Sequence, residues 1–435
     1  MKKVIRILCF FLILTMCLMP IVSCKKKVAE PSGPIKATLD ELPQYNLTNK
    51  KVKILSMNAS IKSDTFTEKY GGEVELINAP QDQVKTRFIN FCLSNEAPDL
   101  VTQCFSAAFV KKELVSPLEE YIDFSTNLWD GVRSTLDSFK YDGKYYMAVP
   151  EDGMVTGVFY NNELFEEYAQ KTPLEYLNED NWNWNTYREV AKKMTIDTDQ
   201  DGKIDIWGTS IDIPWAILST TGAGYNYFGE GGSIVNDIKS IRVSRAMNFL
   251  IELKNNDKVW GGNDESFRQN KMAMLQSGLW VGGAKFQSLI DNGSLRLVPD
   301  PKDPEADKYY YHQDTYTYTL AKAAPNPVGA AAFVCSLRYE RYKYAQKAMN
   351  NELSLDEGMF KNKVLDDMVY QIRYSGKYSG IEPMYGYVTD LWGDLWYASF
   401  DGEPWATIAE RDYPLIQERI EREYTLPESD EASAS

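Results

Sequence analysis

Along the chain the apolar positions switch repeatedly between a period of two and a period of three to four. Val52 to Met57 and Val74 to Ile77 are runs of strand-forming residues. Val84, Phe88, Phe91 and Cys92 then share one face of a predicted helix, and Asp99 to Thr102 follows as a further strand. In the stretch Phe139 to Glu167, Asp142-Gly143 supplies a positive-φ turn, and Tyr145, Tyr146, Met147 and Val149 continue as a strand. Pro150 is expected to end that ladder because it lacks an N–H. Glu151-Asp152-Gly153 reads as an acidic link, Val155 to Tyr160 as a second strand, and Asn161-Asn162 as the cap of a helix from Glu163. Further on, Tyr187 to Met194 and Ser244 to Leu253 read as amphipathic helices, and Tyr309 to Leu320 as a tyrosine-rich strand. This alternation predicts an α/β protein whose sheet is mostly parallel at its core. Ligands of such sheets lie beyond the carboxyl ends of the strands, here near Asn58 to Ser60 and Gln103 to Ser106.

The two ends of the chain break this pattern. Lys2, Lys3 and Arg6 precede an apolar run from Ile7 to Val22, which reads as an export signal over residues 1–23. Ile21-Val22-Ser23-Cys24 resembles a lipobox, so Cys24 is the expected acylated residue and several acyl chains on it would give stable anchoring. Residues 24–49 hold Pro31, Gly33, Pro34 and Pro43 with no apolar periodicity and read as anchor and tether. Residues 426–435 are acidic and rich in Ser and Ala, a composition that predicts disorder.

With 435 residues, two domains are the prior. A net charge of −15 argues against nucleic acid, whose phosphates demand basic patches. Besides Cys24, only Cys92, Cys104 and Cys335 remain after the signal; Cys92 and Cys104 could pair if a helix end and a strand end bring them within bridging distance, and the expectation is three buried thiols.

Three groups of residues could carry chemistry. Asp197, Asp199, Asp201, Lys203 (through its carbonyl) and Asp205, with Gly202 at the sixth position, match an EF-hand-type calcium loop. The twelfth position holds Gly208 where a bidentate Glu is expected, so another acid such as Asp212, or water, would have to complete the shell. The second group is aromatic: Trp215, Tyr225, Tyr227, Trp280, Tyr316, Tyr318, Tyr385, Trp392, Trp396 and Trp405. Sugars pack their C–H faces on such rings and need polar partners for their hydroxyls. The third is acidic: Glu151 and Asp152 at the crossover and Asp314 in the tyrosine-rich strand can accept hydroxyls through charge-assisted bonds. His312 is the only histidine, so a Ser–His–Asp arrangement would have to use it; no nucleophile elbow, P-loop or dinucleotide fingerprint is present.

Several segments, in order, carry a resemblance. Gly143 to Pro150 with Val158-Phe159-Tyr160-Asn161 and Leu164-Phe165, then Asn95 to Val101, Trp184 to Tyr187 through Asp201-Gly202-Lys203, Lys271 to Trp280 and Asn326-Pro327 to Phe333 resemble bacterial extracellular solute-binding proteins, closest to the sugar and oligosaccharide group. The resemblance implies a type II periplasmic-binding-protein-like fold of two lobes, each a sheet flanked by helices, with a hinge between them. Residues 50–150 plus about 316–375 would form one lobe, and 151–315 plus about 376–425 the other. It implies a monomeric receptor on the extracytoplasmic face of the membrane that delivers a carbohydrate to ABC permease subunits, with Trp280 at the family's "GxW" position facing the ligand. Some members carry a similar acidic loop with calcium. The alternatives are a surface carbohydrate-binding protein without a permease and a secreted polysaccharide-active enzyme.

Overall fold

The computed structural model describes residues 42–381 and 400–425, so the expectations for Cys24, Tyr385, Trp392, Trp396 and both chain ends lie outside the described residues. The strands are β1 Lys51–Ser56, β2 Glu73–Asn78, β3 Leu100–Thr102, β4 Val115–Ser116, β5 Met147–Asn161, β6 Trp207–Ile211, β7 Asn226–Phe228, β8 Ile234–Asn236, β9 Met272–Gly278, β10 Leu295–Val298, β11 Tyr309–Ala321 and β12 Tyr378–Ile381. The helices used below are α1 Asp64–Tyr70, α2 Gln81–Leu93, α3 Trp184–Lys193, α4 Pro214–Ser219, α5 Ile241–Ile251, α6 Pro327–Met349, α7 Lys363–Tyr374 and α8 Trp405–Arg422.

Ten of these strands form one sheet in the order β2-β1-β3-β11-β5-β9-β6, with β4 and β12 beside β11 and β10 beside β5. Its two ends are parallel, as the alternation predicts: β1 runs with β2 and β3, and β6 with β9. The long strands β5 and β11 cross between them, antiparallel to each other and to β9 and β3 respectively. Alternation along β1 sends Val52 and Ile54 into one core, with Phe66 of α1 and Phe333 of α6, and Leu55 into another, with Val84 and Phe88 of α2. Helices therefore cover both faces of the parallel end, which suits a parallel sheet.

The crossover differs from its sequence expectation in one informative way. The Asp142-Gly143 turn forms as expected, both residues at positive φ and Tyr141 bridged to Lys144. Pro150, however, does not end the strand; β5 continues through it to Asn161. Thr315 faces Asp152 and Tyr316 faces Glu151, while Gln313 faces Val155 and Tyr318 faces Ala148, so the register slips on either side. Thr317 thus opposes both Val149 and Pro150, and Asp314 opposes both Gly153 and Met154. These are β-bulges, and a bulge tolerates a proline that a regular ladder would exclude. At the end of β5, Asn161 caps the next helix by accepting from the Glu163 N–H at 3.1 Å.

The helix α7 packs on β10 and β12 as well as on α6. The thiols of Cys104 and Cys335 are buried and that of Cys92 is half-buried; all three are free, and burial pushes Cys92 up to about 11. No helix among the described residues is long and apolar enough to cross a membrane.

Candidate functional site

The strand directions bring the carboxyl ends of both parallel segments to the bulged centre of β5 and β11. Thr102, the last residue of β3, pairs with Tyr318, so the chain leaving β3 points toward Tyr316 and Asp314. Gly278, the last residue of β9, pairs with Thr156, so the chain leaving β9 points toward Gly153 from the other side. Loops after β1, β3, β6 and β9 therefore gather around one stretch of the crossing strands.

On the β1 side the junction is a cluster of hydroxyls. The Thr102 hydroxyl donates to Ser56 Oγ at 2.8 Å, and the Tyr316 hydroxyl lies 3.1 Å from the same Ser56 oxygen. Ser56 Oγ also accepts the Asn58 N–H at 2.9 Å, and Asn58 Oδ1 in turn accepts the Ser60 N–H at 3.0 Å. A cavity of about 530 Å³ opens here, bordered by Asn58, Lys62 and Tyr316 and by Glu340, Arg341 and Tyr344 of α6. The volume is within the range of small-molecule sites. Sequence reasoning points to Asn58 and Tyr316 but misses the α6 residues, which carry no local signal apart from their spacing on one face of a long helix.

On the β9 side, Trp280 follows Gly278 in a single turn and is 48% exposed. A Cβ on Gly278 would fall 2.1 Å from the Trp280 ring, so the glycine is what lets the indole lie over the strand end. Trp215 sits in the first turn of α4, half-buried against the core. That helix is set from beneath: Gln276 accepts the Ile213 N–H at 3.2 Å through Oε1 and donates through Nε2 to Asp300 at 3.0 Å. The Thr156 hydroxyl donates to the other Asp300 oxygen. Asp300 is fully buried, and burial pushes its carboxyl up.

Asp314, half-buried at one bulge, holds His312 Nε2 at 2.9 Å, and His312 Nδ1 lies 3.3 Å from Ser219 Oγ in α4. Ser219 Oγ also donates to the Trp215 carbonyl at 3.2 Å, so the hydroxyl bridges the backbone of α4 and the imidazole. The three residue types of a hydrolytic triad are thus in contact, but in the wrong orientation. Ser219 and His312 are buried, and the exposed end is the carboxylate, so no substrate carbonyl reaches the hydroxyl. The chain instead fixes α4, and with it Trp215, to the bulge.

The remaining candidates divide. The Glu151 and Asp152 backbones pair with Tyr316 and Thr315 at the crossover itself. Tyr227 is exposed on β7, and Tyr318, though buried, borders the same cavity as Tyr316, whereas Tyr225 and Trp405 are corrections: each is buried in the core, with the Tyr225 hydroxyl turned to Met247 Sδ at 3.8 Å.

The acidic loop closes on itself through Ile196 and Ile206, which exchange backbone bonds at 2.9 and 3.0 Å. Side-chain oxygens of Asp197, Asp199 and Asp205 lie within 4.8 Å of one another, and Asp197 Oδ1 is a buried acceptor with no hydrogen bond. Gly202, at φ 87°, makes the turn and donates to Asp197 Oδ2 at 2.8 Å. Asp201 departs from the expected set, since it binds Lys203 Nζ at 2.8 Å and the Lys203 N–H at 2.8 Å. Gly208 has a packing reason: a Cβ there would sit 1.9 Å from the Ala191 carbonyl oxygen of α3, so no Glu fits. Asp212 does not complete the shell either, since it follows the far end of β6, about 17 Å along a five-residue strand. Three carboxylates, one of them carrying the orphaned Asp197 Oδ1, remain as a partial oxygen cage suited to a hard cation.

Residues 55–343 match the family described as bacterial extracellular solute-binding protein. No curated protein matches the sequence. Among solved structures, an ABC substrate-binding protein from Listeria monocytogenes in complex with cycloalternan is 15% identical with a TM-score of 0.58, covering 85% of this chain and 98% of its own. A cyclo/maltodextrin-binding protein complexed with maltotetraose is 15% identical with a TM-score of 0.59, covering 87% and 99%. The maltose/maltodextrin-binding domain of Bdellovibrio bacteriovorus, bound to maltotriose, is 19% identical with a TM-score of 0.52, covering 85% and 100%. At these identities the likeness concerns the fold, which is the type II periplasmic-binding-protein-like fold expected from the sequence.

Proposed function

The chain belongs to the bacterial extracellular solute-binding proteins, and from that premise we propose that it captures a sugar or oligosaccharide at the crossover and delivers it to an ABC permease. The observation that carries this reading is the gathering of strand ends around the doubly bulged pair β5 and β11, with an exposed Trp280 on one side and the Tyr316 hydroxyl cluster on the other. An indole face takes the C–H side of a sugar ring, and Asp314, Asn58 and the Tyr316 hydroxyl take its hydroxyls. In this reading two lobes, 50–150 plus about 316–375 and 151–315 plus about 376–425, close about the bulges. The ligand shifts the population toward the closed form because it touches both sides only there. Trp215, Glu151, Asp152, Trp392 and Trp396 are further candidates for the lining. The protein acts extracytoplasmically as a monomer held by acylated Cys24, and Asp197, Asp199 and Asp205 hold a structural calcium ion. The reading makes it a binding protein without catalytic residues, and the inverted Ser219–His312–Asp314 chain agrees with that.

A calorimetric screen of mono- and oligosaccharides tests the reading. Some sugar is expected to raise the melting temperature by mass action. Trp280→Ala is expected to weaken that sugar at least about 30-fold, the effect of removing a central aromatic anchor. Without ligand it is expected to cost well under the ~3–5 kcal/mol of a fully buried Trp. If amino acids or peptides stabilise the protein and no saccharide does, the carbohydrate assignment fails.

A further inference from the structure

The three hydroxyls at the β1-side cavity form a closed ring with a direction. That direction decides which atom of a sugar Tyr316 can meet, on the assumption that the carbohydrate reading above holds. Ser56 and Thr102 end the neighbouring strands β1 and β3, and Tyr316 lies on β11, next to β3. Thr102 donates to Ser56 Oγ at 2.8 Å, and the Asn58 N–H donates to the same oxygen at 2.9 Å. A serine oxygen has two lone pairs, and both are then taken. The single Ser56 proton is left for its third neighbour, Tyr316 Oη at 3.1 Å. The Tyr316 proton goes in turn to Thr102 Oγ1, at 3.4 Å. That last distance exceeds the about 2.5–3.0 Å of a good O–H···O bond, so it is the weak link of the ring. Ser56 and Thr102 are 0% and 2% exposed, whereas Tyr316 is half-buried and borders the cavity. The ring thus hides two of its members and turns to the cavity the one whose proton is loosely held. On the β9 side, by contrast, the Thr156 proton is committed to the buried Asp300.

We propose that Tyr316 is a hydrogen-bond donor to the solute, and that Thr102 and Ser56 are positioning residues that fix this polarity from beneath. The atom that Tyr316 meets is an acceptor oxygen of the sugar: a ring or glycosidic oxygen, or a hydroxyl oxygen whose own proton goes elsewhere. On binding, the phenolic proton leaves its 3.4 Å contact for a shorter bond to the solute, while Ser56 goes on donating to the phenolic oxygen. A hydroxyl that accepts one bond while donating another is polarised, which strengthens the bond it donates. Thr102 sets the direction. Without its hydroxyl one Ser56 lone pair opens, and the Tyr316 proton turns inward to it across 3.1 Å. Tyr316 then offers the cavity only lone pairs, and an acceptor oxygen of a sugar finds no donor there.

The test is isothermal titration of the mature protein with a panel of mono- and oligosaccharides led by maltose and maltotriose, in the parent and in variants of the ring. For a saccharide that binds the parent, Tyr316→Phe is expected to lower affinity about 3- to 12-fold, as for loss of one hydrogen bond. Thr102→Val keeps the shape of the side chain and is expected to lower affinity about 2- to 5-fold, although Thr102 does not border the cavity. Thr102→Ser returns the hydroxyl and is expected to restore the parent affinity. In the Tyr316→Phe background, Thr102→Val is expected to change affinity no further, because a residue acting through the phenol has nothing left to act on. A Thr102→Val variant that melts lower yet binds as the parent, or that adds its full loss to that of Tyr316→Phe, makes the ring purely structural and overturns the inference. So does an unchanged affinity in Tyr316→Phe, a result that does not depend on whether Thr102→Val folds. These outcomes leave the carbohydrate reading standing. If no saccharide binds the parent, both fail.

Discussion

The glycine at the bulge opposite Asp314 gives the most direct test of how tightly the crossing strands are held. A Cβ placed on Gly153 would lie 1.6 Å from the Asp314 carbonyl oxygen, 2.3 Å from its carbon and 3.1 Å from the Thr315 nitrogen. All three are backbone atoms of β11, so no side-chain rotation relieves the clash. Bringing the first contact out to 3.0 Å means parting the strands by about 1.4 Å at that point. Overpacking of this kind costs about 1–3 kcal/mol, and each ladder bond stretched beyond use adds about 1 kcal/mol. The Arg373 Nη2 bond to the Gly153 carbonyl, at 2.9 Å, is exposed to the same displacement. Gly153→Ala is therefore expected to destabilise by about 3 kcal/mol. For a chain of this length that lowers the melting temperature by roughly 3 to 4 °C in scanning calorimetry. Gly283→Ala is the matched control. Its Cβ would have nothing nearer than the Met359 carbonyl oxygen at 4.0 Å, and it sits in a helical turn. That variant is expected to be neutral or more stable by up to about 1 kcal/mol. If Gly153→Ala melts with Gly283→Ala, the close approach of β5 to Asp314 is not a constraint, and the bulge is not the fixed point described above.

Further expectations follow from other sites. Chelation of divalent cations is expected to lower the melting temperature, and Asp199→Ala to abolish that sensitivity; a parent protein indifferent to chelator would leave the acidic loop as a turn and nothing more. Asp257 is bonded by Arg188, at 2.9 Å from Nη2, and by Lys192 at 2.8 Å, and these bonds hold its carboxyl below the ordinary 3.8. A depressed pKa adds stability that is present above 3.8 and is lost as pH falls through the lower folded value. Asp257→Asn should accordingly cost about 1 kcal/mol at pH 7 in urea unfolding, discounted for the partly exposed cations, and the gap should close below pH 3.8. Cys24→Ser is expected to release the protein from the membrane or leave an unprocessed precursor; normal maturation and retention in that variant would remove the lipid anchor.

Much of the fold is legible in the sequence because its signals are local. Val52 to Met57 announces β1 by β-branched residues, and Asp142-Gly143 announces its turn by a backbone requirement that few other pairs meet. The continuity of β5 through Pro150 is not local. It depends on the register of β11, more than 150 residues away, which places the proline at a bulge. The aromatic candidates show the same limit. Trp280 and Tyr225 look alike as rings in loops, yet one is exposed beside a glycine-cleared strand end and the other is core. Arg341 and Tyr344 went unread because, on a 23-residue helix, a cavity-facing residue and a solvent-facing residue have the same pattern. The contact of Ser219 with His312 joins residues 93 apart and had no sequence signal beyond the rarity of histidine.

Both irregularities of the crossing pair place the additional residue on β5, and neither places it on β11. Between the same pair of end points β5 therefore has slack, roughly 6 to 7 Å of spare contour for two residues, while β11 is taut. When such a pair flexes, the slack strand takes up the change in length and the taut strand keeps its length and acts as the pivot. Side chains on β11, Tyr316 and Asp314 among them, would then hold their positions relative to the strands that flank them as the pair bends. Amide protons of β5 at Val149 and from Glu151 to Met154 would exchange with solvent sooner than those directly opposite. An insertion on β5 in that window would be absorbed, whereas deleting a single residue from β11 would force every contact beyond it out of step.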